Sequence, residues 1–515
     1  MPGTDWQALI HEKRALRDSQ IPTEWRLDDG ITSQARRDNP ISGFDLLDQT
    51  NLLTKREREI TDKYDATALL GQLASGVVSS LEVTTAFCKR AAIAQQLINP
   101  LTEIFFDNAL ERAKELDAYL AREGKPVGPF HGLPISLKDM WMVKGEAATL
   151  GFVAYLSKPV AEENSPLVDV LLEGGAVFYC KTNHDTSSGL GEDFAHRHTL
   201  VDGRREQRVR RHAEPTQAYP GSFRQQHWRG RLGWLPGLSP RCRHRHWRLY
   251  SIPFSRQWLL RIQANVEPDP LLWPADSWRR DATALAIPWV DVPKRKLRIG
   301  YWEGSPQTPV FPPIVRALRE AAEALKAAGH EIVPISTPEA GGTLDCAGIY
   351  IHSLGFDTKA TLMQFLDDAE EDILPAMQQM KAVMAEIPKS TLEDVWKFHT
   401  DRGDYRHAWH SKWANTGIDV LLCPAHQGTG MPHSTYGLPV YTMIWNLLDC
   451  PASVIPFLKA NKRIDVEEVE GYDPDALDGA PAHVQVVGWT FRDEEVLMAT
   501  EVIDEVLQKQ PGAHL

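Results

Sequence analysis

Apolar positions recur at helical spacing through TALLGQLASGVVSSLEVTTAFCKRAAIAQQL, Thr67 to Leu97, with a glycine break between two such stretches. That pattern predicts two packed helices. SPLVDVLLEGGAVFYCKTN, Ser165 to Asn183, changes period partway along. Ser165 can cap a helix, Pro166 suits its first turn, Gly174 and Gly175 stop it, and AVFYC then reads as a short buried strand. KLRIGYW followed by PPIVRALREAAEALKAAGHEIVPI repeats the scheme as strand, amphipathic helix, glycine stop and strand. GAPAHVQVVG and CPASVIPF read as further buried strands. Residues 1–60 read as helix and linker, with LDDGITSQARRDNPISGF as an irregular connection. Alternating strands and helices predict an α/β architecture.

Composition fits an ordinary globular protein: 43% hydrophobic and 24% charged over 515 residues. A formal charge of −13 argues against general affinity for nucleic acid or an anionic membrane. No stretch approaches the roughly 18 apolar residues of a spanning helix, and the N-terminal residues lack the apolar core of a secretory signal. Six well-separated cysteines favour reduced thiols, and a cytoplasmic setting is expected.

One segment breaks the pattern. From Arg204 to Arg261 there are 14 arginines, no lysine, no aspartate and only two glutamates, Glu206 and Glu214. Read literally, RVRRH and RCRHRHWR form a basic patch with interleaved aromatics, as in nucleic-acid or nuclear-import segments. His244 and His246 have no partner cluster at metal-ligand spacing. The acidic balance of the rest of the chain opposes the basic-patch reading.

Intact chemistry is concentrated in GPFHGLPISLKDMWMVKG, Gly128 to Gly145. Lys138 follows the apolar run LPISL, with Asp139 beside it. A lysine at a buried strand end can lose its proton by desolvation and act as a base. A surface lysine closing a strand is the other reading of the same spacing. Lys181 after AVFYC is read as a local structural anchor, and Asn446 and Asp449 as structural hydrogen-bonding groups. His407 and His410 are read as a solvated helix face.

This stretch resembles the lysine motif of the amidase signature family, in its fungal acetamidase-like branch. The likeness continues through LEVTTAFCKRAAIAQQLINPLTEIFFDNALERAKELDAYL and SPLVDVLLEGGAVFYCKTN. It resumes at LAIPWVDVPKRKLRIGYWEG, IDVLLCPAH, YTMIWNLLDCPASVIPF and GYDPDALDGAPAHVQVVGWT, in the family's order. The resemblance implies an α/β/α fold with a large twisted mixed sheet flanked by helices. It implies a domain over 61–515 behind an N-terminal region at 1–60. It also implies hydrolysis of a small-molecule carboxylic amide to acid and ammonia by a Ser-Ser-Lys relay, with Lys138 as the catalytic base. No cofactor, metal, nucleic acid or membrane is expected, and a homodimer is the assembly left open.

The family's two serines lie in loops reading G-G-S-S-G-G-E and T-D-I-G-G-S-I-R. Neither is present in this chain. Where the second belongs, the chain reads HRHWRLYSI, His244 to Ile252. Shifted one base on, the genetic code allows every residue of T-D-I-G-G-S-I-R there, and Trp247 followed by Arg248 forces glycine. By the same shift Gln226 to Arg231 can read S-T-G-G-E, and Arg205 to Thr216 can read E-N-N-V-F-G-x-T-L-N-P. Gln257 to Val266 can read N-G-x-Y-G-F-K-P-T. Residues 205–270 are therefore read as out of frame, and 204–277 are expected to pack poorly. A chain in this form is expected to be inactive, the alternative being a non-catalytic remnant or binding protein.

Overall fold

The structure is a computed structural model that describes residues 6–34, 46–47, 49–149, 151–182, 290–356, 361–368, 375–387, 389–429 and 438–512. The Arg-rich segment and the expected disruption at 204–277 lie outside the described residues. The chain divides into two compact units: among the described residues the first holds those up to Thr182 together with 364–368, and the second holds 290–363 and those from Pro375 onward.

The first unit opens with α1 (Trp6–Ser19) and continues through α2 (Lys55–Lys63), α3 (Ala66–Ala74) and α4 (Ser80–Ile98). Thr54 and Glu57 close a capping box on α2, and the Ser79 hydroxyl accepts from the Glu82 amide at the start of α4. Such caps satisfy amides that have no partner within the helix. The glycine break thus separates two helices, as the periodicity predicts. β1 (Leu101–Ile104), α5 (Phe106–Glu123), β2 (Pro134–Lys138), α6 (Pro166–Glu173) and β3 (Val177–Thr182) follow. β3 is central in a mixed three-stranded sheet, antiparallel to β1 and parallel to β2.

α6 starts at Pro166 and ends at Gly174, but the Ser165 hydroxyl does not cap it. It accepts instead from the Met142 amide at 2.9 Å, tying the helix start to the chain after β2. β3 extends past AVFYC to include Lys181 and Thr182, and all six of its residues are buried.

In the second unit β4 (Arg298–Tyr301), α7 (Pro312–Ala327) and β5 (Glu331–Pro334) form the predicted strand–helix–strand unit. After them come α8 (Thr343–Leu354), α9 (Thr361–Asp368), which spans the division between the units, α10 (Pro375–Glu386) and α11 (Leu392–Thr416). The chain closes with β6 (Val420–Cys423), α12 (Val440–Leu447), β7 (Ala452–Lys459), β8 (Pro481–Val487) and α13 (Asp493–Leu507). The sheet order is β5-β4-β6-β8-β7, with β4 parallel to β5 and β6, and β8 antiparallel to β6 and β7. Trp302, Trp409 and Trp445 meet edge to face at 5.1 to 6.2 Å in its core. Edge-to-face packing sets the positive rim of one ring against the negative face of the next. The fold is α/β, with mixed sheets flanked by helices. Among the described residues the strands fall into this five-stranded sheet and the three-stranded sheet of the first unit.

Candidate functional site

The segment before β2 is laid backbone to backbone against the turn before β3. The Phe130 amide donates to Gly174 O and the Gly132 amide to Gly175 O, both at 2.8 Å, and the Val177 amide donates to Leu133 O at 2.9 Å. Gly132 and Gly175 have φ of +73° and +91°. Side chains rarely tolerate that conformation, and here a β carbon would also meet Ser80 or the His131 backbone. These contacts fix where β2 begins.

Lys138 is the last residue of β2, half-buried and in register with Thr182 of β3. Side chains alternate between the faces of a strand, so Ser136 and Lys138 share one face with their partners Cys180 and Thr182. Leu137 and its partner Lys181 lie on the other face, the one toward which Asp139 continues.

On that second face the structure gathers a buried polar node. Neither Asp139 nor Lys181 has solvent exposure, and the Lys181 ammonium lies 3.3 Å from Asp139 Oδ1. Lys181 also donates to the Ala147 carbonyl at 2.5 Å. Asp139 accepts from Thr102 Oγ1 at 3.2 Å, the Thr149 amide at 3.0 Å and Thr149 Oγ1 at 2.5 Å. The Asp139 amide donates to Thr182 O at 2.9 Å, extending the ladder one residue past β2. Buried charges persist where they are paired and hydrogen-bonded, and this pair is both.

Beyond it, Lys13 of α1 pairs with Glu103 of β1 at 2.6 Å, and Arg17 donates to Leu101 O at 3.0 Å. Burial pushes the Glu103 carboxyl above its usual range, opposed by Lys13. Burial also raises Glu146, opposed by Lys13 and Lys181.

The sequence reading of Lys181 as a local anchor agrees with this geometry, but its partner Asp139 was not anticipated. The available signal was the pair of apolar runs, LPISL and AVFYC, each followed directly by a lysine, with Asp139 next after the first. Asn446 and Asp449 lie at and just after the end of α12, where the Asp449 carboxylate accepts from Arg402 at 2.6 Å. His407 and His410 are both exposed, as expected of a solvated helix face, and His410 also stacks on Trp489 with ring centroids 5.1 Å apart. Cys88, Cys180, Cys346, Cys423 and Cys450 are buried free thiols. Among the described residues no group of three or more His, Cys, Asp or Glu is placed to hold a metal ion. No described helix is long and apolar enough to cross a membrane. His244, His246 and both basic clusters lie outside the described residues.

The family model described as Amidase matches residues 82–192 and 273–497. An amidase of Gibberella moniliformis is 42% identical over 99% of this chain and 100% of its own length. An acetamidase of Emericella nidulans is 29% identical over 98% of both chains. Among solved structures, fatty acid amide hydrolase superposes with a TM-score of 0.73 at 23% identity, covering 98% of this chain and 95% of its own, a likeness of fold. The chain belongs to the amidase signature family of amidohydrolases, in its fungal acetamidase-like branch.

Proposed function

We propose that this chain, with its central segment in frame, hydrolyses a small or medium carboxylic amide to the acid and ammonia, using Lys138 as the base of a Ser-Ser-Lys relay. In the form written here it lacks both serines and does not turn over. The observation that carries this reading is the break in the family match at 193–272. That interval encloses Arg204–Arg261, where the code read one base on permits both serine motifs in the family's order.

In the relay, Lys138 accepts a proton from the bridging serine, which accepts one from the nucleophilic serine as that oxygen attacks the amide carbonyl. Glycine-rich backbone amides hold the developing oxyanion. The proton passes to the leaving nitrogen, ammonia departs, and water attacks the acyl-serine to release the acid. A hydroxyl near a base is a weak nucleophile without such placement, and losing one oxyanion donor alone costs about 10²–10³ in rate. The chain as written loses nucleophile and donors together. Support for Lys138 comes from its place at a half-buried strand end, fixed by the polar node beside it. Sequencing the coding DNA from Asn183 to Trp278 tests the frame directly. The two serine motifs one base over are expected, and their absence from every frame would overturn the reading.

A further inference from the structure

We propose that Asp139 and Lys181 are a positioning pair for Lys138, setting both the backbone and the local field at the end of β2. The inference rests on the reading of Lys138 as the base. Three observations carry it. Asp139 is bonded directly to Lys138, and its amide and carboxylate are both engaged, the amide by Thr182 O and the carboxylate by Thr102, Thr149 and Lys181. Lys181 stands beside Lys138's own register partner, Thr182, so the pair grips both strands at one level. Thr149 on Asp139 and Ala147 on Lys181 close the loop leaving β2, whose Met140 and Met142 are exposed.

A fully desolvated ion pair is a poor source of stability, because apolar residues of the same shape do as well. What such a pair does supply is a fixed geometry with its charges cancelled. The charged groups around it are Lys13, Glu103 and Glu146. With Lys181 in place, the Asp139 charge is neutralised next to Lys138. Without Lys181, that charge favours the ammonium form of Lys138 and withdraws the free amine a base must offer.

The test is the pH profile of Lys138 acetylation by acetic anhydride in the full-length chain, read by peptide mass spectrometry against exposed Lys125. In Lys181→Met, labelling of Lys138 near pH 8 is expected to fall by roughly threefold to tenfold, with the profile moved to higher pH. Asp139→Asn combined with Lys181→Met restores a neutral pair and returns the profile toward that of the parent. Thr149→Val removes one donor to Asp139 without stranding a charge. It moves the profile the same way by less, and serves where Lys181→Met does not fold. Profiles of folded Lys181→Met and Thr149→Val that superimpose on the parent would overturn the positioning role. Failure of the base reading is seen separately, as amide hydrolysis that survives Lys138→Ala in the chain restored to frame.

Discussion

Gly175 lies so close to His131 that a β carbon on the glycine would sit 2.8 Å from the histidine Cα. This contact joins the turns that launch β2 and β3, and so sets the level at which Lys138 meets Thr182. Gly175→Ala combines that clash with a φ of +91° and is expected to cost about 1–3 kcal/mol. Urea denaturation of the two proteins checks it, and equal midpoints would show that the turns can separate without loss.

His131 carries a pH dependence of definite sign. Burial holds its imidazole below the ordinary value of 6.5, with Asp117 opposing and Arg112 assisting. The folded state therefore resists a proton that the unfolded chain accepts. The stability this contributes is complete above 6.5 and is lost as pH falls below 6.5 toward the folded value. His131→Asn keeps an acceptor for the Val127 amide and removes the titration. Its melting temperature should fall less than the parent's between about pH 7 and pH 5. Part of the decline remains, because burial also lowers His330. Parallel melting curves for the two proteins would contradict the assignment.

Removing one member of the Asp139–Lys181 pair strands a charge that has no exposure to water. Lys181→Met alone is expected to destabilise by about 3–5 kcal/mol. Adding Asp139→Asn should recover part of that loss, giving a favourable coupling in a double-mutant cycle by urea denaturation. Additive losses would mean that the two side chains do not act as a pair.

Much of this fold was legible because its signals are local. Pro166 at a helix start, Gly174 at its end and a short apolar run afterwards mark α6 and β3 within twenty residues of sequence. The two antiparallel strands β7 and β8 likewise announce themselves as apolar runs. The hydroxyl of Ser165 was misjudged because its partner, the Met142 amide, comes from the chain after β2. The same limit applies at the candidate site. Lys138 stands in a contiguous motif and can be found by reading along the chain. Its neighbours across the sheet cannot, because the register of parallel strands is set by the crossover between them and not by either strand's own sequence. Asp139 and Lys181 therefore look like two polar strand ends until β2 and β3 are laid side by side. Glu103 is hidden for the same reason, as a charge in an apolar strand whose cation, Lys13, lies on a distant helix.

The measurement that bears most directly on the account is ammonia release from a simple carboxylic amide by two purified proteins side by side. One is the chain as written. The other restores the central frame, with T-D-I-G-G-S-I-R, S-T-G-G-E and the family's stretch between them and the second unit. The first is expected to give no turnover and no labelling by a serine-directed acylating probe. The second is expected to release ammonia and to lose most of that activity in Lys138→Ala. Robust turnover by the chain as written would place its working site elsewhere and contradict the account.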